Sequence, residues 1–147
     1  MKNEELIVRD YRDEDFPEID QLWSDTGMGS AARGDDMDTI RRTLEKGGRL
    51  LVLENNNTAE IIGTSWLTQD GRRIYIHHFG IAPQHQGNGH AWPLLRASLD
   101  YAKSTGLQIK LEVHRDNQKA VNLYRKAGFH YLGDYDVYII RDYKDLD

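Results

Sequence analysis

Apolar residues recur at every third or fourth position in four segments of the chain, which is the spacing of one buried face of a helix. A glycine lies at or just beyond the end of each periodic run, and glycine commonly ends a helix because it adopts the left-handed conformation without strain. We therefore predict helices from Asp13 or Asp15 to about Gly27, from about Asp36 to Gly47, from about His90 to Thr105, and from Asn117 to Ala127.

Six other segments are rich in β-branched and aromatic residues or alternate between apolar and polar positions, and both patterns are typical of strands. Turn-forming residues separate several of them, most clearly Asn55–Asn57 and Asp70–Gly71. The predicted strands are Leu6–Tyr11, Arg49–Glu54, Glu60–Thr68, Arg73–Ile81, Gln108–His114 and Tyr131–Tyr143, the last as one long strand or a tight hairpin.

The order of these elements, β-α-α-β-β-β-α-β-α-β, predicts an α/β fold with a mixed, mainly antiparallel central sheet flanked by helices. A helix joins the strands Arg73–Ile81 and Gln108–His114, and such a crossover makes these two strands parallel neighbours. The 147 residues suffice for one domain with a core but not for two, so we predict a single domain over residues 1–147.

The composition narrows the classes of function. The net charge of −5 and the pI near 5.6 argue against nucleic-acid binding, and an acidic surface suits a cationic amine substrate better. No apolar run is long enough to cross a bilayer and the first residues are charged, so we expect a cytoplasmic protein with no membrane partner. Because the chain has no cysteine, disulfides and an acyl-cysteine intermediate are excluded.

A glycine-rich turn joins the strand that ends at Ile81 to the third predicted helix. The start of a helix leaves about four backbone N–H groups without partners, and these attract phosphate groups. Gly87 and Gly89 carry no Cβ, so a ligand can approach their backbone closely. A lone G-x-G is more often a tight turn than a phosphate site, and neither the Walker nor the Rossmann nucleotide-binding pattern is present.

Two motifs, one in the glycine-rich turn and one in residues 111–129, resemble those of the GNAT family of N-acetyltransferases. Gln86, Gly89 and Ala91 form Gln-x-x-Gly-x-Ala after a strand that ends Ile-x-Pro, which resembles the family's acetyl-CoA pyrophosphate loop. Residues 111–129 match the family pattern L-x-V-x-x-x-N-x-x-A-x-x-L-Y-x-x-x-G-F at every motif position. The resemblance covers residues 49–133 well, whereas the first 48 residues match only in the order of their elements.

The resemblance implies an acetyl-CoA-dependent N-acetyltransferase that transfers the acetyl group directly to an amine. It implies that Tyr124 protonates the departing coenzyme A thiolate; without the resemblance, the helical spacing favours a core residue with its hydroxyl at the rim. The backbone N–H groups of residues 79–81 are expected to hold the thioester carbonyl. The implied cofactor-binding residues are Phe79, Ile81, Gln86, Gly87, Asn88, Gly89, His90, Ala91 and Asn117.

A protonated amine must lose a proton before it attacks a thioester, so a catalytic base is required, and histidine is the natural choice. Side chains alternate along a strand, so only one of His77 and His78 is expected to face the cleft. We predict His77, which then shares a face with Tyr75 and Phe79. A β-bulge in this strand would change that alternation and favour His78.

Glu112 is the rival base, because Leu-Glu-Val before the asparagine resembles the enzymes that acetylate protein N-termini. The alternative is a structural carboxylate paired with Lys110 or Arg115. We expect the remaining candidates, His85, His90 and His114, to be exposed to solvent, and no spacing of acidic or histidine residues suggests a metal site.

The acceptor is expected to be a small-molecule amine or a peptide N-terminus. Nothing in the sequence chooses between these two classes. The second hypothesis is a non-catalytic acyl-CoA-binding sensor or interaction module with the same fold. Dimers are common in the family, so the resemblance allows a homodimer. No pattern in the sequence identifies the surface of such a dimer interface. The resemblance implies an acceptor pocket built from Trp23, the loop Gly27–Gly34, Trp66 and Tyr135–Tyr138.

Overall fold

A five-stranded sheet with the strand order β1-β2-β3-β4-β5 forms the centre of this mixed α/β fold in the computed structural model, which describes residues 5–146. Residues 1–4 and 147, which belong to the predicted domain 1–147, lie outside the described residues. The elements are β1 Leu6–Asp10, α1 Phe16–Thr26, α2 Met37–Glu45, β2 Arg49–Asn55, β3 Ile61–Gln69, β4 Arg73–Ile81, α3 Ala91–Thr105, β5 Gln108–Leu111 and α4 Gln118–Ala127.

The first four strands pair antiparallel, and β4 pairs parallel with β5 as the crossover through α3 predicts. The β4–β5 pairing ends where Ile76 lies opposite Leu111. Beyond that point the two strands separate, so residues 77–81 of β4 have no strand partner on this side. This separation creates the opening of the candidate site.

Two hydrophobic clusters hold helices against opposite faces of the sheet. One face is covered by α1 and α2 and the other by α3 and α4, because each helix buries the apolar stripe that its sequence predicts. Burial of one large apolar side chain contributes about 1.5–3 kcal/mol, so these clusters provide most of the driving force for folding. The fully buried side chains include Ile19, Trp23 and Ile40 on the first face and Leu94 and Leu95 on the second.

A buried ion-pair cluster ties the start of α1 to the edge of the sheet. The Arg9 guanidinium donates to both Asp15 carboxylate oxygens, at 2.8 and 2.9 Å, and its Nε donates to Glu54. Burial alone raises the pKa of Asp15, but hydrogen bonds from Arg9 and from the Arg12 backbone N–H outweigh it and leave that pKa lowered. Asp15 is therefore a stabilising anion at neutral pH.

The predicted final strand, Tyr131–Tyr143, is wrong for this structure. Residues 130–142 form no helix and no strand, and their side chains stay exposed because the segment pairs with neither edge strand of the described sheet. Two predicted boundaries also move: β5 ends at Leu111 and not at His114, and α4 begins at Gln118 with Asn117 as its N-cap. Within the described part of the chain, no helix is both long enough and apolar enough to span a membrane.

Candidate functional site

A cleft of about 1140 Å³ opens where β4 and β5 separate. One wall is β4, the opposite wall is formed by the end of β5 and by α4, and the loop before α3 closes one end. The volume exceeds the 300–1,000 Å³ that is common for drug-sized ligands, so the cleft fits an extended cofactor. Its lining includes most of the predicted site, namely His77, Phe79, Ile81, Gln86, Gly87, Gly89, His90, Ala91, Glu112, Asn117 and Tyr124.

The glycine turn is shaped for close approach of a ligand to the backbone. Gly87 and Gly89 have φ angles of 84° and 77°, and a Cβ added at either position would meet no atom within 4 Å. The space is therefore open, and a side chain would both fill it and strain the backbone. Gln86 braces the turn through Nε2, which donates to the Ile81 carbonyl at 2.9 Å, and Asn88 Nδ2 donates to the His85 carbonyl at 3.4 Å.

Positive charge lines the α4 side of the cleft. Lys119 and Lys126 both lie on this wall, and the Lys126 ammonium is 5.3 Å from the ring centroid of Trp92. Glu112 is the only carboxylate among the described lining residues. These two lysines and Trp92 were not predicted as site residues, because the lysines occupy unspecified positions of the second motif. The local charge favours an anionic ligand although the whole chain is acidic.

Tyr124 lies on α4, where it belongs to the hydrophobic cluster beneath that helix and also lines the cleft. Its ring makes edge contacts with Phe79, at 5.9 Å between centroids, and with Phe129, at 5.7 Å. The hydroxyl has no hydrogen-bond partner among the described residues, and burial raises the pKa of Tyr124 to about 12. This phenol therefore stays protonated over the whole physiological range. Asn117 also lines the cleft, where its side chain caps α4 by accepting from the Ala120 N–H at 3.3 Å.

A β-bulge interrupts β4 at His78. Gly80 pairs with Thr64 and His77 with Trp66, so β4 has one more residue than β3 between these pairs, and His78 takes a φ of 45°. The bulge turns Phe79 toward the α3–α4 face, where it packs against that cluster. The predicted face shared by Tyr75, His77 and Phe79 is therefore wrong for Phe79, and both histidines line the cleft.

His78 is held in a defined orientation. Its Nε2 lies 3.0 Å from the Asp35 carboxylate. Its ring makes T-shaped contacts with the Trp23 and Trp66 rings, with interplanar angles of 89° and 82°. Thr64 supports this arrangement, because its hydroxyl donates to the His78 carbonyl and accepts from the Trp23 indole. With Nε2–H donated to Asp35, the lone pair lies on Nδ1, which has no partner among the described residues.

His77 has a different environment. Its Nε2 lies 2.9 Å from the Thr68 hydroxyl and its ring stacks on Tyr75. Desolvation in the cleft lowers the pKa of His77, the neighbouring His78 lowers it further, and Glu112 opposes both effects. His77 is thus a neutral imidazole at pH 7.

Glu112 lies one residue beyond the end of β5 and is exposed at the cleft. It forms no ion pair with Lys110, with Arg115 or with any other described residue, so the alternative of a structural pairing is not observed. Its carboxylate is free to meet a ligand.

Several other expectations are corrected. Trp23 and Trp66 are buried and stack on each other at 5.3 Å, so they support the cleft from behind and do not line it. Tyr135–Tyr138 lie in the exposed segment, away from the cleft lining. His114 is exposed as predicted, whereas His90 is half-buried, and so is His85, whose Nε2 lies 2.9 Å from the Glu60 carboxylate. Residues 5–146 contain no group of three or more side chains that could hold a metal ion.

Comparison with known proteins gives one family and many related structures. The model of the acetyltransferase (GNAT) family matches residues 7–129. An acetyltransferase from Streptococcus agalactiae superposes with a TM-score of 0.75 at 17% identity, covering 92% of this chain and 91% of its own. The ribosomal-protein-S18-alanine N-acetyltransferase from Escherichia coli gives 0.72 at 16% identity, covering 86% and 78%. A transcriptional regulator from Bacillus halodurans gives 0.74 at 18% identity, covering 92% and 100%.

Proposed function

Because this chain belongs to the GNAT family of acetyltransferases, we propose that it transfers an acetyl group directly from acetyl-CoA to a primary amine. The observation that carries this proposal is the cleft between the separated strands β4 and β5. It brings the glycine turn, a buried tyrosine and two imidazoles together on one opening. The glycine turn suits a phosphate-bearing cofactor, and the tyrosine and the imidazoles can donate or accept protons.

The chain's own residues fit acetyl-CoA. Gly87 and Gly89 leave open space beside backbone N–H groups at the start of α3, which suits a pyrophosphate. Lys119 and Lys126 supply cations on the facing wall, where a further phosphate would be neutralised. The unpaired edge of residues 77–81 offers backbone hydrogen bonds to the pantetheine arm. When bound, acetyl-CoA supplies an activated acetyl thioester.

We assign the base to His78. Asp35 fixes its ring and leaves Nδ1 as the acceptor, so the imidazole can take the proton that the ammonium group of the acceptor must lose. His77 and Glu112 are the rivals: the lowered pKa of His77 keeps it neutral but makes it a weaker base. Of these three candidate bases, only His78 lies within hydrogen-bond distance of a described carboxylate that orients it.

The proton that the thiolate needs comes from Tyr124. Its hydroxyl has no competing partner among the described residues, and its pKa of about 12 keeps it protonated at neutral pH. Backbone N–H groups of residues 79–81 stabilise the negative charge that develops on the carbonyl oxygen, because the separation of β4 from β5 leaves these residues without a strand partner on the cleft side. Base and acid therefore lie on opposite walls of one cleft.

The acceptor class remains a primary amine, either a small molecule or a peptide N-terminus. Thr26, Gly27 and Met28 line the cleft near His78, so the acceptor enters from the α1 side. The neighbour from Escherichia coli acts on an alanine of a ribosomal protein, which supports testing peptide N-termini among the acceptors. At 16% identity that likeness concerns the fold alone.

A non-catalytic acyl-CoA-binding module is the second candidate. The transcriptional regulator from Bacillus halodurans, which has the same fold, supports testing this candidate beside the enzyme. Two measurements separate the candidates. Calorimetry tests acetyl-CoA binding, and release of free thiol is followed over a panel of polyamines, amino acids, aminoglycosides and peptides with free N-termini. The enzyme predicts binding together with amine-dependent thiol release, whereas binding without release for any amine supports the module. Absence of binding contradicts both candidates.

A further inference from the structure

The short loop Gly27–Gly29 leaves α1 and crosses β4 beside the candidate base. Gly27 ends α1 in the left-handed conformation, with a φ of 71°, and the Met28 N–H donates to the Trp23 carbonyl at 2.9 Å. A Cβ added at Gly29 would lie only 2.7 Å from His78 Nε2, so the loop touches β4 closely. The helix end and this contact together fix the backbone from which the Met28 side chain projects.

The Met28 thioether lies against the backbone of Gly80 in the cleft. A Cβ added at Gly80 would be 2.8 Å from Met28 Cε and 3.0 Å from Met28 Sδ, so the methionine fills the space that a side chain would need there. Met28 is half-buried and also packs against the hydrophobic cluster that contains Trp23 and Trp66. Both Met28 and Gly80 line the cleft, so the thioether forms part of its wall.

We propose that Met28 limits the length of the acyl chain in this cleft, so that acetyl thioesters of coenzyme A are preferred over propionyl and butyryl thioesters. The inference rests on the proposed acyl transfer and assigns a specificity-determining residue to it. Gly27 and Gly29 flank Met28, so Met28 supplies all of the side-chain volume that this loop presents to β4. Truncation of this one side chain should therefore open the wall.

The position of Gly80 relates Met28 to the acyl chain. Gly80 lies within residues 79–81, whose backbone N–H groups hold the thioester carbonyl in the proposed function. A carbonyl oxygen that accepts from such a group lies about 2.9 Å from the backbone nitrogen. The acyl chain starts at the carbon of that carbonyl, so it lies against the same stretch of β4. The methyl group of an acetyl thioester fits beside Gly80, whereas a longer chain meets the thioether.

The size of the expected preference follows from how pockets distinguish methylene groups. One methylene more or less in a hydrophobic pocket changes kcat/KM by about 10–200-fold. Methionine is unbranched and adapts its shape, so the preference should lie near the lower end of this range. We therefore expect kcat/KM of the wild type to be about tenfold lower for propionyl-CoA than for acetyl-CoA, and lower again for butyryl-CoA.

A series of acetyl-, propionyl- and butyryl-CoA tests this role through thiol release and calorimetry. All donors are compared with one saturating amine, so any effect of Met28 on the acceptor cancels in the ratio of kcat/KM values. Met28→Ala should bring butyryl-CoA to within about threefold of acetyl-CoA, whereas Met28→Leu keeps the volume and should keep the preference. The matched control is Leu123→Ala on the α4 wall, which removes a similar volume and should leave the ratio as in wild type.

Three results would overturn the role of Met28. They are a wild type that binds and uses butyryl-CoA as well as acetyl-CoA, a Met28→Ala variant with a native circular dichroism spectrum and the wild-type ratio, and equal relaxation by Leu123→Ala. Failure of the proposed function looks different, because no donor would then release thiol. In that case the ratio of the donor affinities in calorimetry still tests Met28, with the same relaxation expected in Met28→Ala. Absence of binding by every donor would contradict both proposals.

Discussion

Gly29 allows Asp35 and His78 to meet, so Gly29→Ala should separate them. A Cβ at this position would overlap the Asp35 Oδ2 atom and lie 2.7 Å from His78 Nε2. Both atoms end side chains, so the collision is relieved by movement of the carboxylate and the ring rather than of the backbone. The added methyl group needs no unusual φ, so the fold should survive.

The size of the effect follows from the geometry. To reach van der Waals distance the Asp35 carboxylate must retreat by about 1 Å, which lengthens the 3.0 Å contact with His78 beyond hydrogen-bond range. A misplacement of about 1 Å in a catalytic group can cost ~10²-fold in rate. We therefore expect kcat to fall by about two orders of magnitude, while acetyl-CoA affinity stays within about twofold because the glycine turn is untouched.

The assay is steady-state thiol release with calorimetry on the same preparations. Asp35→Asn should reproduce the loss, and Gly29→Ala added to Asp35→Asn should cost little more because both changes break one contact. The matched control is Asp20→Asn in the same region, since Asp20 accepts from the Ala31 N–H and does not touch His78. A folded Gly29→Ala variant with full kcat would refute the role of the Asp35–His78 pair.

Three further predictions concern the acid, the support of the cleft and the pH dependence of stability. Tyr124→Phe keeps the ring in the core, so stability should change little, but kcat and kcat/KM should fall together by about 10²–10⁴-fold in the thiol-release assay. Thr64→Val leaves the buried Trp23 indole N–H and the His78 carbonyl without their hydrogen-bond partner. The free energy of unfolding should therefore fall by about 2 kcal/mol, which calorimetry should show as a Tm lowered by roughly 4–8 °C. Asp15 has a lowered pKa when folded, so its stabilisation is present above the unfolded pKa of about 4 and is lost as pH falls through the folded value. Denaturant titrations should therefore show Asp15→Asn less stable than wild type at pH 7, with the difference shrinking below pH ~4; a constant difference would contradict this linkage.

Local pattern was enough to predict most of the architecture. The bounds of β4, the glycine turn and the parallel pairing of β4 with β5 follow from alternation, turn residues and crossover geometry within one short stretch. Tyr124 and Asn117 lie at the cleft because helical spacing places them on one face of α4.

Contacts between distant segments were not predictable in this way. Asp35 and His78 are 43 positions apart, and no spacing rule relates them. The bulge at His78 depends on how β4 pairs with Thr64 and Trp66, so simple alternation assigned Phe79 to the wrong face. In the C-terminal segment the alternation predicted a strand wrongly, because a strand also requires a neighbour to pair with and residues 130–142 pair with no described strand.

The central claim, that the glycine turn binds the pyrophosphate of acetyl-CoA, is tested most directly by titrating acetyl-CoA into wild type, Gly89→Glu and Gly71→Glu in a calorimeter. The two glycines are matched: φ is 77° at Gly89 and 82° at Gly71, and neither has an atom within 4 Å of an added Cβ, but Gly71 lies in the β3–β4 turn outside the cleft lining. A carboxylate about 4 Å from a phosphate costs on the order of 4 kcal/mol at an effective dielectric constant of 20, so Gly89→Glu should weaken binding by more than roughly 10²-fold. Wild type and Gly71→Glu should bind equally well. No binding to wild type, or equal affinity in all three proteins, would contradict the account.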